Sequence, residues 1–418
     1  MPPEQQADNA LIETDIAIVG GGMAGGMLAA LLADSGLRIV LLDGGGVPQM
    51  PNGAAALRVS ALTEASERLL QQAQVWPALP QARRQPYQRM EVRDGDGTGS
   101  VSFHASDAGA SHLGTLVENA AVVAALHQRC DTCANIDWRS AVKVTDLQRH
   151  EQHWQLQVSI AGDASGAASM IRCRLLVGAD GGRSMVRTAA GIASRGGDTG
   201  HVAIVASLRS ALAHDHCARQ VFLDSGPLAL LPLFGDGHDI SLVWSAWPAR
   251  AEQLLALNDD DFSAALSDAC QHWLGQLTVA SNRQAFPIHD LHASDYHSDR
   301  LALIGDAAHV VHPLAGQGIN LGLLDAAVLA EEIQRALREK RDWHSTALLQ
   351  RYSHRRRGHN AATVATMRLF KQLFEQRAPW FRFLRNSGMS LLDRHPLAKG
   401  MLARQALGRF DDVSGELR

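Results

Sequence analysis

The apolar and polar residues near the N-terminus follow the pattern of a strand, a helix and a second strand. Residues 15–19 and 37–42 are short apolar runs, and residues 26–35 between them have helical spacing. A βαβ unit of this kind places its two strands parallel in one sheet. Residues 1–13 show no such pattern, and we expect them to form a flexible tail.

Strand-like alternation returns later in the chain, together with two helical stretches. Residues 120–129 are predicted to be helical, residues 326–333 have helical spacing, and residues 343–401 are mainly helical in pattern. The remaining predicted strands are two within residues 90–104, joined by a Gly/Asp turn, and residues 154–160, 169–176, 202–208, 219–223, 228–233, 240–247 and 301–304.

A glycine motif follows the first predicted strand. Gly20, Gly22 and Gly25 satisfy G-x-G-x-x-G, and the acidic residue Asp43 follows the second strand. In this motif the glycines let a pyrophosphate lie on the helix N-terminus, and the acid binds the hydroxyls of an adenosine ribose. The pattern predicts a dinucleotide site but does not distinguish FAD from NAD, because both contain the same ADP half.

The segment from residue 305 to residue 325 is predicted as a glycine-bearing loop between a strand and a helix. Gly316 and Gly318 allow the backbone to approach a flat ligand, and the free N–H groups of the next helix favour a ligand that becomes anionic. A flavin ring is such a ligand. Asp306 is placed to accept a hydrogen bond from the flavin's sugar-alcohol chain.

Two further stretches contribute candidate residues. A buried strand ends at Gly178, and Asp180 follows it just before a helix start. Residues 58–62 are predicted to start a helix, where Arg58 is either a ligand of the pyrophosphate or flavin or an ordinary surface arginine.

These elements predict an α/β fold with a Rossmann-like FAD-binding domain, an inserted β-sheet substrate domain and a C-terminal helical region. We assign the discontinuous FAD-binding domain to residues 14–80, 105–200 and 283–335. Residues 81–104 and 201–282 form the substrate-covering sheet, and residues 336–418 form the C-terminal helices.

Composition limits the other possibilities. The 418 residues carry a formal net charge of -4 without a long basic run, which argues against a nucleic-acid partner. The short cluster at residues 355–357, three arginines, is interpreted as a solvated helix face. Five scattered cysteines indicate a reducing, cytoplasmic location. Cys130 and Cys133 form a lone CxxC pair, and no metal site is predicted.

The three motifs, in this order, resemble those of the class A flavoprotein aromatic hydroxylases, the family of para-hydroxybenzoate hydroxylase. Within that family the chain is most similar to the ubiquinone-biosynthesis ring hydroxylases. The segments that carry this resemblance are residues 20–26, 58–62, 117–119, 231–234 and 312–322.

The resemblance implies an FAD-dependent monooxygenase that hydroxylates the aromatic ring of a prenylated phenol or quinol through a flavin C4a-hydroperoxide formed with O₂. It implies that Asp180 and Asp306 contact FAD, and that Arg58 and Asn119 lie at its phosphate and ribityl region. The ring edge would lie against Gly316, Gln317, Gly318 and Asn320. His312 and Pro313 would form the wall beside the reactive face, with His312 acting either as a base on the phenol or as a structural residue.

The resemblance also implies transient partners. NAD(P)H or another donor supplies electrons, and other ubiquinone-biosynthesis proteins, a peripheral membrane contact or a lipid carrier supply the substrate. Three alternatives remain at this point. They are a class A hydroxylase of a soluble phenol or secondary metabolite, a dehydrogenase without oxygen chemistry, and a flavin-bound, non-catalytic subunit of a biosynthetic complex.

Overall fold

The computed structural model describes residues 11–53, 57–95, 99–160, 169–311 and 317–375, together with residues 395, 399–401, 404 and 407. The strands are β1 Leu11–Val19, β2 Ile39–Leu42, β3 Val59–Leu62, β4 Arg84–Tyr87, β5 Arg89–Asp94, β6 Ser100–His104, β7 Gly114–Glu118, β8 Ile136–Arg139, β9 Val142–Arg149, β10 Trp154–Ile160, β11 Ser169–Gly178, β12 Ser194–Ser210, β13 Cys217–Leu223, β14 Gly226–Pro232, β15 Asp239–Ala246, β16 Leu277–Val279, β17 Gln284–Ala293, β18 His297–Ser298, β19 Leu301–Leu303 and β20 His309–Val310. The α-helices are α1 Met23–Leu31, α2 Glu64–Gln72, α3 Asn119–Asp131, α4 Met185–Ala189, α5 Pro248–Ala256, α6 Asp259–Ala269, α7 Gln317–Arg338 and α8 Thr346–Glu375.

The first sheet contains the nucleotide-binding pattern. Its strands run in the order β18-β19-β11-β1-β2-β8, in which β19, β11, β1, β2 and β8 are parallel to one another, while β18 and β10 pair antiparallel with β19 and β11. Parallel sheets are usually covered on both faces, so their strands are almost uniformly apolar. The four residues of β2 are all buried, as are the last four of β1. Helices α1, α3 and α7 pack around this core.

The second sheet is mixed and runs in the order β20-β17-β12-β15-β14-β13-β5-β6. One of its faces is covered by α5 and α6, where Phe262 and Leu266 meet Trp244 and Leu230 in a separate apolar core. The hairpin β5–β6 joins this sheet through the parallel pair β13 and β5, whereas β4, which also lies within residues 81–104, pairs with β7 in a separate three-stranded sheet. However, β12 begins at Ser194 and β17 also belongs to this sheet. The predicted boundaries at residues 201 and 283 therefore do not coincide with the edges of the sheet.

Several predicted element boundaries are wrong. Residues 58–62 do not start a helix: β3 pairs antiparallel with β7, and the helix that follows begins at Glu64 after the capping residue Thr63. The sheet partner, which is distant in sequence, decides this conformation. Residues 11–13, assigned to a flexible tail, already pair with β11. Helix α1 begins at Met23 rather than residue 26.

The C-terminal helical region packs on the first domain. Helix α7 begins at Gln317, so much of the predicted loop before residue 326 is helical. Arg355 of α8 bonds Glu331 and Glu332 of α7, and Arg356 is only 1% exposed. The interpretation of residues 355–357 as a solvated helix face is therefore wrong for these two arginines. Within the described residues, no helix is both long and apolar enough to cross a membrane.

Candidate active site

The C-terminal ends of four parallel strands bring the sequence motifs together. Val19 of β1 is in register with Leu42 of β2 and with Gly178 of β11, and Gly178 is in register with Leu303 of β19. The segments that leave these strands therefore start side by side. Ligands of open α/β sheets bind at this edge of the sheet.

The glycine turn after β1 is shaped by close backbone contacts. Gly20 has φ +111°, and a Cβ there would lie 2.2 Å from the carbonyl oxygen of Ala179. A Cβ on Gly25 would lie 2.0 Å from the carbonyl oxygen of Gly20. Gly22 differs, because nothing lies within 4 Å of a Cβ placed there. It is the N-cap of α1, so open space lies beside this helix N-terminus.

Asp43 holds the end of the turn in place. Its Oδ2 accepts a hydrogen bond of 2.7 Å from the Gly21 amide, and its Oδ1 accepts one of 2.7 Å from the Gly45 amide. The side chain is only partly buried. Each carboxylate oxygen has a second lone pair, so the ribose contact predicted for Asp43 is compatible with these bonds.

Asp180 has a capping role that the sequence motif does not reveal. Its Oδ2 accepts hydrogen bonds from the amides of Met185 and Val186 at 2.7 and 3.1 Å, at the start of α4. The nearby Arg187 donates to the carbonyl oxygens of Gly182 and Ala307, both at 2.8 Å. Arg187 thereby ties the Asp180 loop to the loop that contains Asp306.

Asp306 lies at the centre of the short 3-10 turn Gly305–Ala307. Its neighbours Gly305 and Ala307 are buried, whereas its own side chain is accessible to solvent. Surrounding protein nevertheless desolvates the carboxylate and raises the pKa of Asp306; His309 opposes this rise, whereas the negative charge of Asp325 adds to it. Accessibility combined with desolvation is the behaviour of a carboxylate that lines a concave site. Gly305 also brings this loop to α1, because a Cβ on it would lie 3.0 Å from the Cβ of Ala24.

Asn320 connects α7 to the turn between β3 and α2. Its Oδ1 accepts hydrogen bonds from the Thr63 amide at 3.0 Å and the Ser66 hydroxyl at 2.7 Å, while its Nδ2 donates to the Ala61 carbonyl at 2.9 Å. The side chain is 2% exposed. Its described side-chain contacts are thus to protein. Gly318 belongs to the same turn and approaches Val311.

Arg58 and Asn119 lie next to each other. The Asn119 amide donates to the Arg58 carbonyl at 3.1 Å, and the Asn119 Oδ1 accepts from the Ser60 hydroxyl at 2.7 Å. The Arg58 guanidinium is exposed and stands 4.8 Å from the ring centre of Phe286 in the second sheet. The predicted residues His312, Pro313 and Gly316 lie outside the described residues, as does the side chain of Gln317.

A buried polar cluster behind Asp306 is absent from the sequence-based predictions. Asp325 Oδ2 accepts from the Gly305 amide at 3.0 Å and pairs with His309 Nε2 at 2.6 Å. Asp325 Oδ1 accepts from Arg356 at 2.8 Å and from Asn360 at 3.0 Å. Burial alone would raise the pKa of Asp325, but His309 and Arg356 outweigh it and lower the pKa to about 2. The signals available in the sequence were the acid Asp325 within a largely apolar helical stretch and the three arginines at residues 355–357.

These features fit FAD. The open space at Gly22 suits a pyrophosphate at a helix N-terminus, Asp43 suits a ribose, and Asp306 suits a hydroxylated chain. The described residues contain no group of three His, Cys, Asp or Glu side chains placed to hold a metal ion.

Comparisons with known proteins agree with this geometry. Residues 13–367 match the FAD binding domain family. The chain is 35% identical over 395 residues to the 3-demethoxyubiquinol 3-hydroxylase of Escherichia coli K12, covering 94% of this chain and 97% of that protein. It is 34% identical to the ubiquinone hydroxylase UbiL of Rhodospirillum rubrum, covering 94% of this chain and 89% of that protein.

A eukaryotic relative and a solved structure extend the comparison. The chain is 32% identical to the mitochondrial ubiquinone biosynthesis monooxygenase COQ6 of Xenopus tropicalis, covering 90% of this chain and 89% of that protein. The structure of p-nitrophenol 4-monooxygenase from Pseudomonas putida DLL-E4 superimposes with a TM-score of 0.76 at 19% identity, covering 97% and 99%, which shows a shared fold. The chain therefore belongs to the family of FAD-dependent aromatic-ring monooxygenases that includes the ubiquinone-biosynthesis hydroxylases.

Proposed function

We propose that this monooxygenase hydroxylates the ring of a prenylated quinol in ubiquinone biosynthesis, with a demethoxyubiquinol as its substrate. The observation that carries this proposal is the 35% identity to a 3-demethoxyubiquinol 3-hydroxylase, which extends over 94% of this chain and 97% of that protein. Near-complete coverage in both chains includes the second sheet as well as the first.

The second sheet supports an apolar substrate. Phe286 pairs with Ala203, and the same face of the sheet carries Val205, Val243 and Ala229, because these residues are in register across the strands. Phe286 contacts Arg58 of the first domain, so this face is turned towards the cofactor domain. None of these sheet residues is charged, and the cation beside Phe286 belongs to Arg58, which the resemblance assigns to FAD. A small phenol with a carboxylate would require a cation at such a position, whereas a prenylated ring does not.

FAD, when bound, supplies the oxygen-transfer chemistry with O₂ and a reducing donor. In our proposal the protein contributes binding and orientation. Gly22 and the N-terminus of α1 hold the pyrophosphate, Asp43 holds the ribose and Asp306 holds the ribityl chain. The backbone of the first turn of α7 faces the flavin ring, and Asn320 fixes that turn against β3 and α2.

The remaining roles rest on the resemblance. His312 and Pro313 form the wall at the reactive face of the flavin, and Arg58 and Asn119 lie along the phosphate and ribityl region. NAD(P)H or another donor visits transiently, and the prenylated substrate arrives from a membrane or a lipid carrier.

Mass spectrometry of the quinone pool tests the proposal. Cells that lack this protein are expected to accumulate one prenylated ring intermediate short of a single hydroxyl group, and a plasmid copy should restore ubiquinone. A copy with Asp306→Asn, which retains the shape of the side chain, should restore little. An unchanged ubiquinone pool in cells with no redundant hydroxylase would refute the ubiquinone assignment and leave a monooxygenase acting on another phenol.

A further inference from the structure

The C-terminal helix α8 reaches the cofactor site through a single buried carboxylate. Asp325 of α7 is fully buried. Its carboxylate accepts hydrogen bonds from four donors: the Gly305 amide and the side chains of His309, Arg356 and Asn360. Gly305 and His309 lie before and after Asp306 in the chain, and Arg356 and Asn360 belong to α8. The carboxylate is therefore shared between the loop that carries Asp306 and the C-terminal helix.

The contact with Gly305 controls the direction of Asp306. Gly305 has φ +58°, in the left-handed region, so its conformation is favoured only for glycine. Its N–H group points at Asp325, and the next residue is Asp306. His309, which begins β20, is held by the same carboxylate oxygen. Asp325 thus fixes Gly305, immediately before Asp306, and His309, three residues after it, so the turn that presents Asp306 has little freedom to rotate.

Arg356 makes this arrangement possible. A buried carboxylate without a counter-charge would be protonated or solvated, and it would then hold the Gly305 amide weakly. Arg356 is 1% exposed and donates to Asp325 Oδ1 at 2.8 Å and to Asn360 Oδ1 at 2.7 Å. Asn360 in turn donates to Asp325 at 3.0 Å. The Arg356 guanidinium, the Asn360 amide and the Asp325 carboxylate thus form a closed ring of hydrogen bonds.

We propose that Asp325 and Arg356 are positioning residues for FAD, and that α8 is thereby part of the cofactor site. They set the affinity for FAD by holding Gly305, and hence Asp306, in the binding orientation. The inference depends on the proposed contact between Asp306 and FAD and is independent of which phenol or quinol is hydroxylated.

FAD affinity, measured by flavin fluorescence quenching on apo-protein, tests this role against a purely structural one. Arg356→Gln and Asp325→Asn should each weaken FAD binding by at least about tenfold. Each single change also leaves an unmatched buried group, so a loss of thermal stability is expected as well. The double variant removes both charges together. It should recover much of the thermal midpoint while FAD binding remains weak, because the Gly305 amide has still lost its charged acceptor.

Arg355→Gln is the matched control. Arg355 precedes Arg356 on the same helix and pairs with Glu331 and Glu332 of α7. Its loss should change thermal stability but leave FAD affinity within about twofold of wild type. If the double variant binds FAD as tightly as this control, the cluster is structural only and the proposal fails.

Hydrogen exchange on the unaltered protein provides an independent measurement should the variants fail to fold. FAD should slow amide exchange in a peptide covering residues 301–311 and also in one covering residues 348–360 of α8. Amide exchange in β13 serves as the reference, because this strand of the second sheet is not part of the Asp325 cluster. Protection of residues 301–311 without protection of α8 would overturn the coupling, while absence of protection in both would count against the proposed FAD contact at Asp306.

Discussion

At the scale of single residues, Gly22 and Gly25 belong to the same glycine motif but have different surroundings. A Cβ on Gly25 would overlap the Gly20 carbonyl, whereas a Cβ on Gly22 meets nothing within 4 Å. Gly22 also has φ −72°, which alanine adopts freely. One glycine is therefore required by the fold, and the other is required only if a ligand occupies the adjacent space.

Alanine substitutions separate these two roles. Gly25→Ala should destabilise the FAD-free protein by about 1–3 kcal/mol, because backbone must move to accommodate the methyl group. Gly22→Ala should leave the thermal midpoint of the FAD-free protein unchanged and weaken FAD binding by about tenfold or more. Thermal unfolding with and without FAD measures both effects. Unaltered FAD affinity in Gly22→Ala would place the pyrophosphate elsewhere.

Asp306 should make FAD binding depend on pH. Its pKa is raised above that of an ordinary aspartate by desolvation, so the carboxylate becomes protonated at a higher pH than usual. Only the ionised form accepts hydrogen bonds at both oxygens. The dissociation constant of FAD should therefore increase as the pH is lowered from about 8 towards about 4.5. Asp306→Asn should bind FAD weakly with a flatter pH dependence. Identical pH profiles for wild type and variant would contradict the role of Asp306.

At the element scale, α2 is anchored to the loop before β7 by an ion pair. His112 Nε2 lies 2.9 Å from the Glu67 carboxylate. The hydrogen bond to Glu67 raises the pKa of His112, and partial desolvation opposes this only in part. Protonated His112 is therefore favoured in the folded state.

The pair predicts a stability that depends on pH. A raised folded-state pKa contributes stability that is complete below the unfolded pKa of about 6.5 and is lost as the pH rises through the folded-state value. Replacing His112 with Gln should lower the thermal midpoint at about pH 5.5 and have little effect at about pH 9. The exposed His289 offers a matched His→Gln control, which should show the same small effect at both pH values. A loss that is larger at the higher pH would contradict the ion pair.

At the scale of the whole molecule, Arg83 connects the second sheet to a third, three-stranded sheet with the strand order β3-β7-β4. It donates to both oxygens of Glu118 at 2.5 and 2.8 Å and to the Gly53 carbonyl at 3.1 Å, and it stands 4.9 Å from the ring centre of Phe234. Glu118 is fully buried and belongs to β7, whereas Phe234 follows β14 in the second sheet. Arg83 therefore joins the three-stranded sheet to the second sheet.

Loss of this arginine should be costly. Arg83→Met leaves the Glu118 charge buried without this partner and should destabilise the protein by about 3–5 kcal/mol in denaturant unfolding. Adding Glu118→Gln should restore part of that stability. Arg209→Met removes an exposed arginine that pairs with Asp236, and little change is expected from it. Equal effects of Arg83→Met and Arg209→Met would show that the buried pair does not hold the sheets together.

The sequence by itself determined the family and the parallel βαβ unit at the first glycine turn. The βαβ unit with its glycines and Asp43 is a contiguous piece of chain whose residue types are fixed by backbone geometry, and it predicts a dinucleotide. The choice of FAD came from the later loops and from the family resemblance that all three motifs carry together. The hairpin β5–β6 and the individual strands β10 and β11 were predicted for the same reason.

Only the tertiary structure decided which polar residues act together. The conformation of residues 58–62 depends on β7, and the roles of Asp325 and Arg356 depend on a contact between two helices. A sequence pattern reports the side chain's own preference, but burial and pairing are set by partners distant in the chain. The arginines at residues 355–357 appear alike in sequence, and packing alone distinguishes the buried Arg356 from its more accessible neighbours.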